Sequence, residues 1–258
     1  MNDRALISSQ LRKVIDLFPR IQLEDLPEGA QMERIDRKFP FHISKVPQVL
    51  EGMHKSYSIL KAAGSVISPY DSHYFDTADF TFFRKHHSGF LNRDKIRYRS
   101  YPRTDTTFLE VKTKSNKGRT AKSRVLCSGN AFPLEPSSLK FLSNSVKLDP
   151  SKLIPSVSMK YNRMAFIGEN DEERFSIDFD ISSELGDKKI DFGDVAILEV
   201  KQDQNFTSPI IARLRSLGIR EASMSKYCLA LCMLNPNLKA NRFKSDIRRL
   251  EKIIYEEN

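Results

Sequence analysis

Charged and apolar residues alternate along about eight short stretches of this chain, and one such pattern occurs twice. The sequence LEVK spans Leu109 to Lys112 and recurs from Leu198 to Lys201. Because successive side chains of a β-strand point to opposite faces, each alternating stretch has one charged face and one apolar face. The alternation predicts an antiparallel sheet whose apolar face packs on a core.

The eight stretches assign most of their charged residues to one face. They read ERIDRKF, HYFDT, KIRYRSY, TFLEVKTK, SRVLCS, MKYNRMAFIG, ERFSIDFDI and VAILEVKQ. The charged face carries Arg34, Asp36, Lys38, Lys95, Arg97, Arg99, Glu110, Lys112, Lys114, Arg174, Asp178, Glu199 and Lys201. The opposite face carries residues such as Phe39, Ile96, Leu109, Phe175 and Val200, and Arg37 is the clear exception.

Two geometries are compatible with this sheet. An open sheet would leave the charged face in water, whereas a barrel would turn it into the lining of a lumen. The charged face has nine basic and four acidic residues, an excess of about five positive charges. Like charges about 4 Å apart repel by about 4 kcal/mol at an effective dielectric constant near 20, so a closed lumen requires a polyanion. The carboxylates would then hold a divalent cation against the anion.

Composition limits the class of partner without choosing one. The 258 residues carry a formal net charge of +9 and a pI near 9.4, which indicates a nucleic acid, a membrane surface or a phosphorylated small molecule. No apolar run approaches the roughly 18 residues that span a bilayer, and charges interrupt the N-terminal stretch where a signal peptide would be apolar. We therefore expect a cytoplasmic protein. The three cysteines have no zinc-ligand spacing.

Helical periodicity surrounds the strands. Helices are predicted over Asp3 to Phe18, Ser44 to Ala63, Ser137 to Ser145, Ser208 to Leu217, Ser225 to Leu234 and Phe243 to Tyr255. His86 and His87 are expected in a loop. This organisation predicts an N-terminal helical arm at residues 1–30, a catalytic domain at 31–235 and a charged C-terminal helix at 236–258.

The ordered motifs resemble a known family. RIDRKF, YFDT, KIRYR, LEVKTK, KSR, KYNR, RFSID, ILEVK and SKY follow one another as in the VTC domain, the catalytic domain of polyphosphate polymerases. The resemblance covers about Glu33 to Leu234. It implies an α+β fold of the triphosphate tunnel metalloenzymes, an eight-stranded antiparallel β tunnel with a charged lumen and flanking helices.

The resemblance also implies roles for individual residues. The implied catalytic set is Lys38, Arg97, Arg99, Lys112, Arg163, Glu199 and Lys226. The implied substrate-binding set is Arg34, Lys95, Lys114, Lys122, Arg124, Tyr161, Arg174, Lys201 and Ser225. Glu199 resembles the principal metal ligand, with Asp36, Glu110 and Asp178 as further candidates. Asp36 stands where the family usually carries Glu, which weakens its case as a ligand.

Three functions are compatible with these residues, and the first two follow from the resemblance. The first is a polymerase that uses Mn²⁺ or Mg²⁺ to transfer the γ-phosphoryl group of ATP to a growing polyphosphate chain. The second is a triphosphatase of the same fold, acting on inorganic triphosphate or a nucleoside triphosphate. The third comes from another class and is a binder of polyphosphate or nucleic acid without catalysis. A Walker A motif is absent from the sequence, so side chains would have to hold the phosphates. No helix-turn-helix, zinc-finger or RNP signature supports binding to nucleic acid. The sequence does not predict the oligomeric state.

Overall fold

The computed structural model describes residues 3–25, 35–116, 120–130, 132–171, 173–203 and 206–255. Arg34 lies outside these ranges. The helices are α1 (Asp3–Asp16), α2 (Val46–Leu50), α3 (Thr81–His87), α4 (Pro136–Ser145), α5 (Pro209–Ser216), α6 (Lys226–Leu234) and α7 (Lys244–Tyr255). The strands are β1 (Arg20–Gln22), β2 (Ile35–His42), β3 (Tyr57–Lys61), β4 (Ser68–Thr77), β5 (Arg93–Tyr101), β6 (Thr106–Lys114), β7 (Thr120–Cys127), β8 (Leu153–Gly168), β9 (Glu173–Leu185), β10 (Lys188–Asp191) and β11 (Val195–Gln202).

Eight strands form one continuous antiparallel wall in the order β2-β11-β9-β8-β4-β5-β6-β7. Of the short strands, β3 pairs with β8, β10 pairs with β9, and β1 pairs with β3. Each of the eight alternating stretches of the sequence contributes one strand of this wall. The predicted α+β tunnel with a charged lumen and flanking helices is confirmed.

Side chains join the two ends of the wall. Between the described residues, β2 and β7 share no backbone ladder. Lys112 of β6 nevertheless donates a hydrogen bond from Nζ to Oδ2 of Asp36 on β2, at 3.3 Å. The wall therefore curls far enough for its first strand and its next-to-last strand to meet across the lumen.

The outward face of the wall carries two apolar layers. Phe39, Phe175 and Val200 pack with residues of α1, α2 and α5, whereas Ile96 and Leu109 pack with residues of α3 and α4. All five side chains are nearly inaccessible to solvent. Burial of this apolar surface holds the charged side chains on the opposite face in fixed positions.

Helix α6 covers part of one end of the lumen. Val195 and Ile197 lie on the same face of β11 as Glu199, yet they pack with α6. In β9 the bulge residue Asp180, at φ 50°, reverses the alternation so that Ile181 joins this cluster. The first residue of α6 therefore lies beside the charged lumen.

Two local predictions were wrong. Only Val46–Leu50 of the predicted helix Ser44 to Ala63 is α-helical, because Gly52 adopts a left-handed conformation (φ 77°) and the chain then continues as β3. His86 and His87 lie in α3 and not in a loop. The start of that helix is hard to predict from the sequence because its capping carboxylate is not adjacent to it. Asp76, in β4, accepts from the backbone N–H groups of Phe82 and Phe83.

Arg37, the exception to the alternation, lies on the outer face, where its Nη2 is 2.7 Å from Oε2 of Glu221. Among the described residues, no helix has the length and apolar character needed to cross a bilayer.

Candidate functional site

Glu199 lies at the centre of one side of the lumen. Strand register places it between Lys38 of β2 and Ser176 of β9, and the nearest approach of Lys38 Nζ to Glu199 Oε1 is 3.7 Å. Burial alone would raise the pKa of Glu199, but the positive charges of Lys38, Lys201 and neighbouring bases outweigh burial and lower it below its ordinary value. Glu199 is therefore an ionised carboxylate with a loose partner.

One step along the same strands, the register aligns Asp36, Lys201 and Arg174. Arg174 forms a two-pronged ion pair with Asp171 in the preceding turn. A cavity of about 140 Å³ opens here, and its lining includes Arg163, Arg174, Glu199 and Lys201. Two predicted substrate-binding residues, Arg174 and Lys201, thus share one cavity with the predicted catalytic residue Arg163 and the predicted metal ligand Glu199.

Glu110 anchors the opposite side of the lumen. It is 2% exposed, and its oxygens lie 2.7 Å from Arg97 Nη2, 2.6 Å from Lys122 Nζ and 3.9 Å from Arg99 Nε. Burial would raise its pKa, but these three cations lower it to about 2. Glu110 holds basic side chains in place, which leaves it poorly suited to bind a metal ion.

Asp178 plays a similar part at the end covered by α6. Its fully buried carboxylate pairs with Arg163, whose Nη2 lies 2.7 Å from Oδ2, and also accepts from Lys226. Burial opposes the ionised form, yet the charges of Arg163 and Lys226 lower the pKa of Asp178. This pairing fixes α6 against β8 and β9.

Basic residues face each other directly on the β5–β6–β7 side. Lys95, Lys112 and Lys122 occupy one row across three neighbouring strands. Lys95 donates to Oγ of Ser225 at 2.9 Å and has no ion pair among the described residues. Burial lowers its pKa. Like charges at opposed positions destabilise a sheet, so this row favours an anionic ligand.

Two tyrosines of the site, Tyr70 and Tyr74, were not predicted from the sequence. Arg97 Nη1 donates to Tyr74 Oη at 2.9 Å, and the guanidinium carbons of Arg99 and Arg163 lie 5.2 and 5.0 Å from the ring centre of Tyr70. Tyr70 also stacks on the predicted residue Tyr161, which accepts from Arg99 Nη2 at 3.0 Å. The alternation of Tyr70, Ser72 and Tyr74 was the available signal, but it begins before the stretch HYFDT.

The other predicted residues have more peripheral positions. Arg124 lies opposite Glu110 in the register but stacks on Phe108, with its guanidinium carbon 4.6 Å from the ring centre. Ser225 caps α6 through the N–H of Cys228 at 3.4 Å. Lys114 lies at the last position of β6, opposite Arg93 of β5.

The carboxylates that could hold a divalent cation are Glu199 and Asp36. In the described part of the chain, no three His, Cys, Asp or Glu side chains are grouped to hold a metal ion on their own. Mg²⁺ in phosphate-binding enzymes is commonly held by one or two carboxylates together with phosphate oxygens and water. Glu199, ionised and loosely paired, and Asp36, one register step away on the neighbouring strand, fit that kind of site.

The sequence matches the VTC domain family over residues 33–235. The chain belongs to this family. The matched range includes every strand of the eight-stranded wall and ends just after α6, so α7 lies beyond it.

Solved structures offer more distant likenesses. A candidate adenylate cyclase from Bacillus halodurans is 14% identical, with 83% of this chain and 98% of that chain covered and a TM-score of 0.48. A Hippeastrum protein, described as a candidate adenylyl cyclase with a dominant triphosphatase activity, is 14% identical, with coverages of 77% and 96% and a TM-score of 0.48. PH1819 of Pyrococcus horikoshii is 13% identical, with coverages of 77% and 98% and a TM-score of 0.42. No curated protein matches the sequence.

Proposed function

We propose that this VTC-domain protein is a metal-dependent polyphosphate polymerase that transfers the γ-phosphoryl group of ATP to a polyphosphate chain in the tunnel. The observation that supports it most is the charge of the lumen face. Among the described residues, thirteen basic residues share this face or border it: Lys38, Arg93, Lys95, Arg97, Arg99, Lys112, Lys114, Lys122, Arg124, Arg163, Arg174, Lys201 and Lys226. They stand against four carboxylates, at Asp36, Glu110, Asp178 and Glu199.

The basic side chains would bind and orient the phosphates. Transfer of a phosphoryl group passes through a loose transition state whose charge lies on peripheral oxygens, so positioning and charge neutralisation supply most of the catalysis. Arg97 and Arg99 are suited to this task because Glu110, Tyr74 and Tyr161 already fix their guanidinium groups. Such preorganisation reduces the cost of ordering side chains when substrate binds.

Glu199, with Asp36 beside it, would hold the Mn²⁺ or Mg²⁺ ion. A bound divalent cation neutralises charge on the phosphate oxygens that it contacts. Lys38 and Lys201 flank Glu199 and would contact the same phosphates. We also propose that residues 31–235 form the catalytic unit, that residues 1–30 and 236–258 are additions to it, and that it acts in the cytoplasm.

The test is incubation of the purified protein with ATP and Mn²⁺ or Mg²⁺, followed by separation of long-chain polyphosphate from free phosphate. The proposal predicts long chains that require the metal. Release of free phosphate alone would instead identify a triphosphatase, and binding of polyphosphate without turnover would identify a binding protein.

A further inference from the structure

The line of basic residues on β5 continues beyond the predicted site. Arg99, Arg97, Lys95 and Arg93 occupy alternate positions of this strand, so they follow one another at steps of about 7 Å. On β6 the same face ends at Lys114, which is directly opposite Arg93. Opposed like charges destabilise a sheet, so this end of the wall also favours an anion.

Arg242, a residue beyond the matched family domain, reaches the same end. It lies in the short 3₁₀ turn Asn241–Phe243. Phe243 is buried and holds this turn against α3, with ring centres 5.7 Å from His86 and 5.9 Å from Phe83. The turn places the exposed Arg242 over the end of α3.

Gly89 permits this close approach. It adopts a left-handed conformation (φ 78°) just after α3, and a Cβ atom added there would lie 2.5 Å from Arg242 Nη1. The next residue, Phe90, accepts through its carbonyl oxygen from Arg93 Nη1 at 2.8 Å. The guanidinium groups of Arg242 and Arg93 therefore both lie against the turn that follows α3.

The pKa of His86 shows that positive charge is concentrated in this region. Burial, followed by the charges of Lys95, Arg93, Arg242 and Lys114, lowers its pKa to about 3. His86 is therefore neutral at physiological pH, and its Nδ1 lies 3.0 Å from Cys228 Sγ. The four bases that act on it lack an ion pair among the described residues.

We propose that Arg93, Lys114 and Arg242 form a second phosphate-binding subsite at the α3 end of the tunnel, which holds a polyphosphate chain beyond its terminal triphosphate. The subsite extends the proposed polymerase function and rests on it. A phosphate chain is favoured over a nucleic acid because the subsite lies on the same strand face as Lys95, Arg97 and Arg99. A phosphate chain bound along that line would meet one basic side chain about every 7 Å.

Charge reversal at Arg242 tests the subsite. Arg242→Glu should weaken the binding of long-chain polyphosphate by up to about fivefold, since one exposed charge contact contributes up to about 1 kcal/mol. Its affinity for inorganic triphosphate should stay unchanged, and its polyphosphate product from ATP should be shorter. Arg248→Glu, which makes the same change at an exposed position of α7, is the matched control. Competition binding at physiological salt removes most long-range electrostatic effects.

Three results would overturn the subsite. Equal behaviour of Arg242→Glu and Arg248→Glu would remove it, as would an equal loss of affinity for triphosphate and for the long chain. Equal competition by a single-stranded oligonucleotide, with a loss of that competition in Phe90→Ala, would assign the patch to nucleic acid, because the exposed Phe90 could stack on a base. If the unaltered protein makes no polyphosphate, the polymerase proposal fails while the binding measurements still decide the subsite.

Discussion

Single carboxylates in the lumen have different surroundings, and these suggest different tasks. Glu110 and Asp178 are each saturated by two or three cations, whereas Glu199 has a single loose contact with Lys38 at 3.7 Å. A carboxylate whose oxygens are already held by protein cations has little capacity left for a metal ion. We therefore propose that Glu199 would hold the metal ion, and that Glu110 and Asp178 position the basic side chains.

Replacement of Glu199 by Gln should lower metal-dependent turnover by at least 10- to 100-fold, since even the outer partners of a metal site have effects of about that size. The amide keeps the shape of the side chain but lacks its charge, so the variant should stay folded, as circular dichroism can establish. Turnover would be measured over a range of Mn²⁺ concentrations. Glu184→Gln, at a half-exposed glutamate of the same sheet, is the control, and equal activity of the two variants would exclude the assignment.

The depressed pKa of Glu110 predicts a loss of stability in acid. Its folded pKa of about 2 lies below the ordinary value of 4.5, so its contribution is complete above about pH 4.5 and disappears as the pH falls toward 2. The full shift corresponds to a contribution on the order of 3 kcal/mol to the free energy of unfolding. In urea unfolding at pH 6, 4 and 3, Glu110→Gln should lose less stability than the unaltered protein. Parallel losses in the two proteins would show that Glu110 is not the titrating group.

Alternation predicted the charged residues that lie inside long strands, but not those placed by tertiary contacts. Lys38, Arg97, Glu110 and Glu199 follow directly from the period of two, because each strand buries its other face. Arg242 does not, because its position depends on the packing of Phe243 against α3 and on the missing side chain of Gly89. Such contacts between distant segments leave no periodic signal in the sequence.

At the scale of elements, β5, β6 and β7 each place a lysine in one row across the sheet, and these lysines repel one another. Lys95, Lys112 and Lys122 align across the three strands, and Lys95 is the one of them with no carboxylate partner among the described side chains. The surrounding apolar layers must hold these strands together against this repulsion. Removal of the charge at Lys95 should therefore affect stability and binding in opposite directions.

Lys95→Met keeps the length of the side chain and should raise the free energy of unfolding of the ligand-free protein by up to about 1 kcal/mol. It should also weaken the binding of triphosphate. Because the folded pKa of Lys95 is lowered, its destabilising effect is complete below the folded pKa and decreases as the pH rises from the folded pKa toward the ordinary value of 10.5. Urea unfolding at pH 7 and 9.5 would measure it, with Lys147→Met on an exposed loop as control. A lower stability of Lys95→Met at pH 7 would indicate that its hydrogen bond to Ser225 matters more than the repulsion.

Helices were predictable from the sequence where one apolar periodicity runs through the whole helix and where the residue that caps it is adjacent in sequence. Pro136–Ser145, Pro209–Ser216 and Lys226–Leu234 are helices as predicted, and two of them begin after a serine whose hydroxyl accepts from the first turn. The stretch Ser44 to Ala63 was assigned wrongly because apolar residues at helical spacing continue past Gly52 into β3. The pairing of β3 with β1 on one side and β8 on the other decides its structure, and these pairings join residues about 40 and about 110 positions apart.

The whole molecule should be stabilised by its substrate. A ligand that binds only the folded state at a hundredfold excess over its dissociation constant adds about 2.7 kcal/mol to the free energy of unfolding. Triphosphate with Mn²⁺ should therefore raise the melting temperature, and the shift should persist at physiological salt because a lumen is screened less than a surface.

Matched variants distinguish binding in the tunnel from nonspecific attraction of the ligand to a basic protein. Lys38→Ala and Arg163→Ala should each reduce the thermal shift, whereas Arg12→Ala, at an exposed position of α1, should retain it. A shift that disappears with added salt, or one that is the same in all three variants, would contradict binding in the tunnel.

The junction between β2 and β7 has a mechanical consequence. In a barrel closed by backbone hydrogen bonds throughout, the number of strands and their stagger determine the girth. Here the contact from Lys112 to Asp36 spans that junction through flexible side chains, whose rotamers change far more readily than a ladder shifts its register. Among the described strands, this is the junction at which the tunnel can adjust its circumference while the other seven keep their spacing. We propose that this adjustment lets it enclose phosphates with or without a hydrated cation.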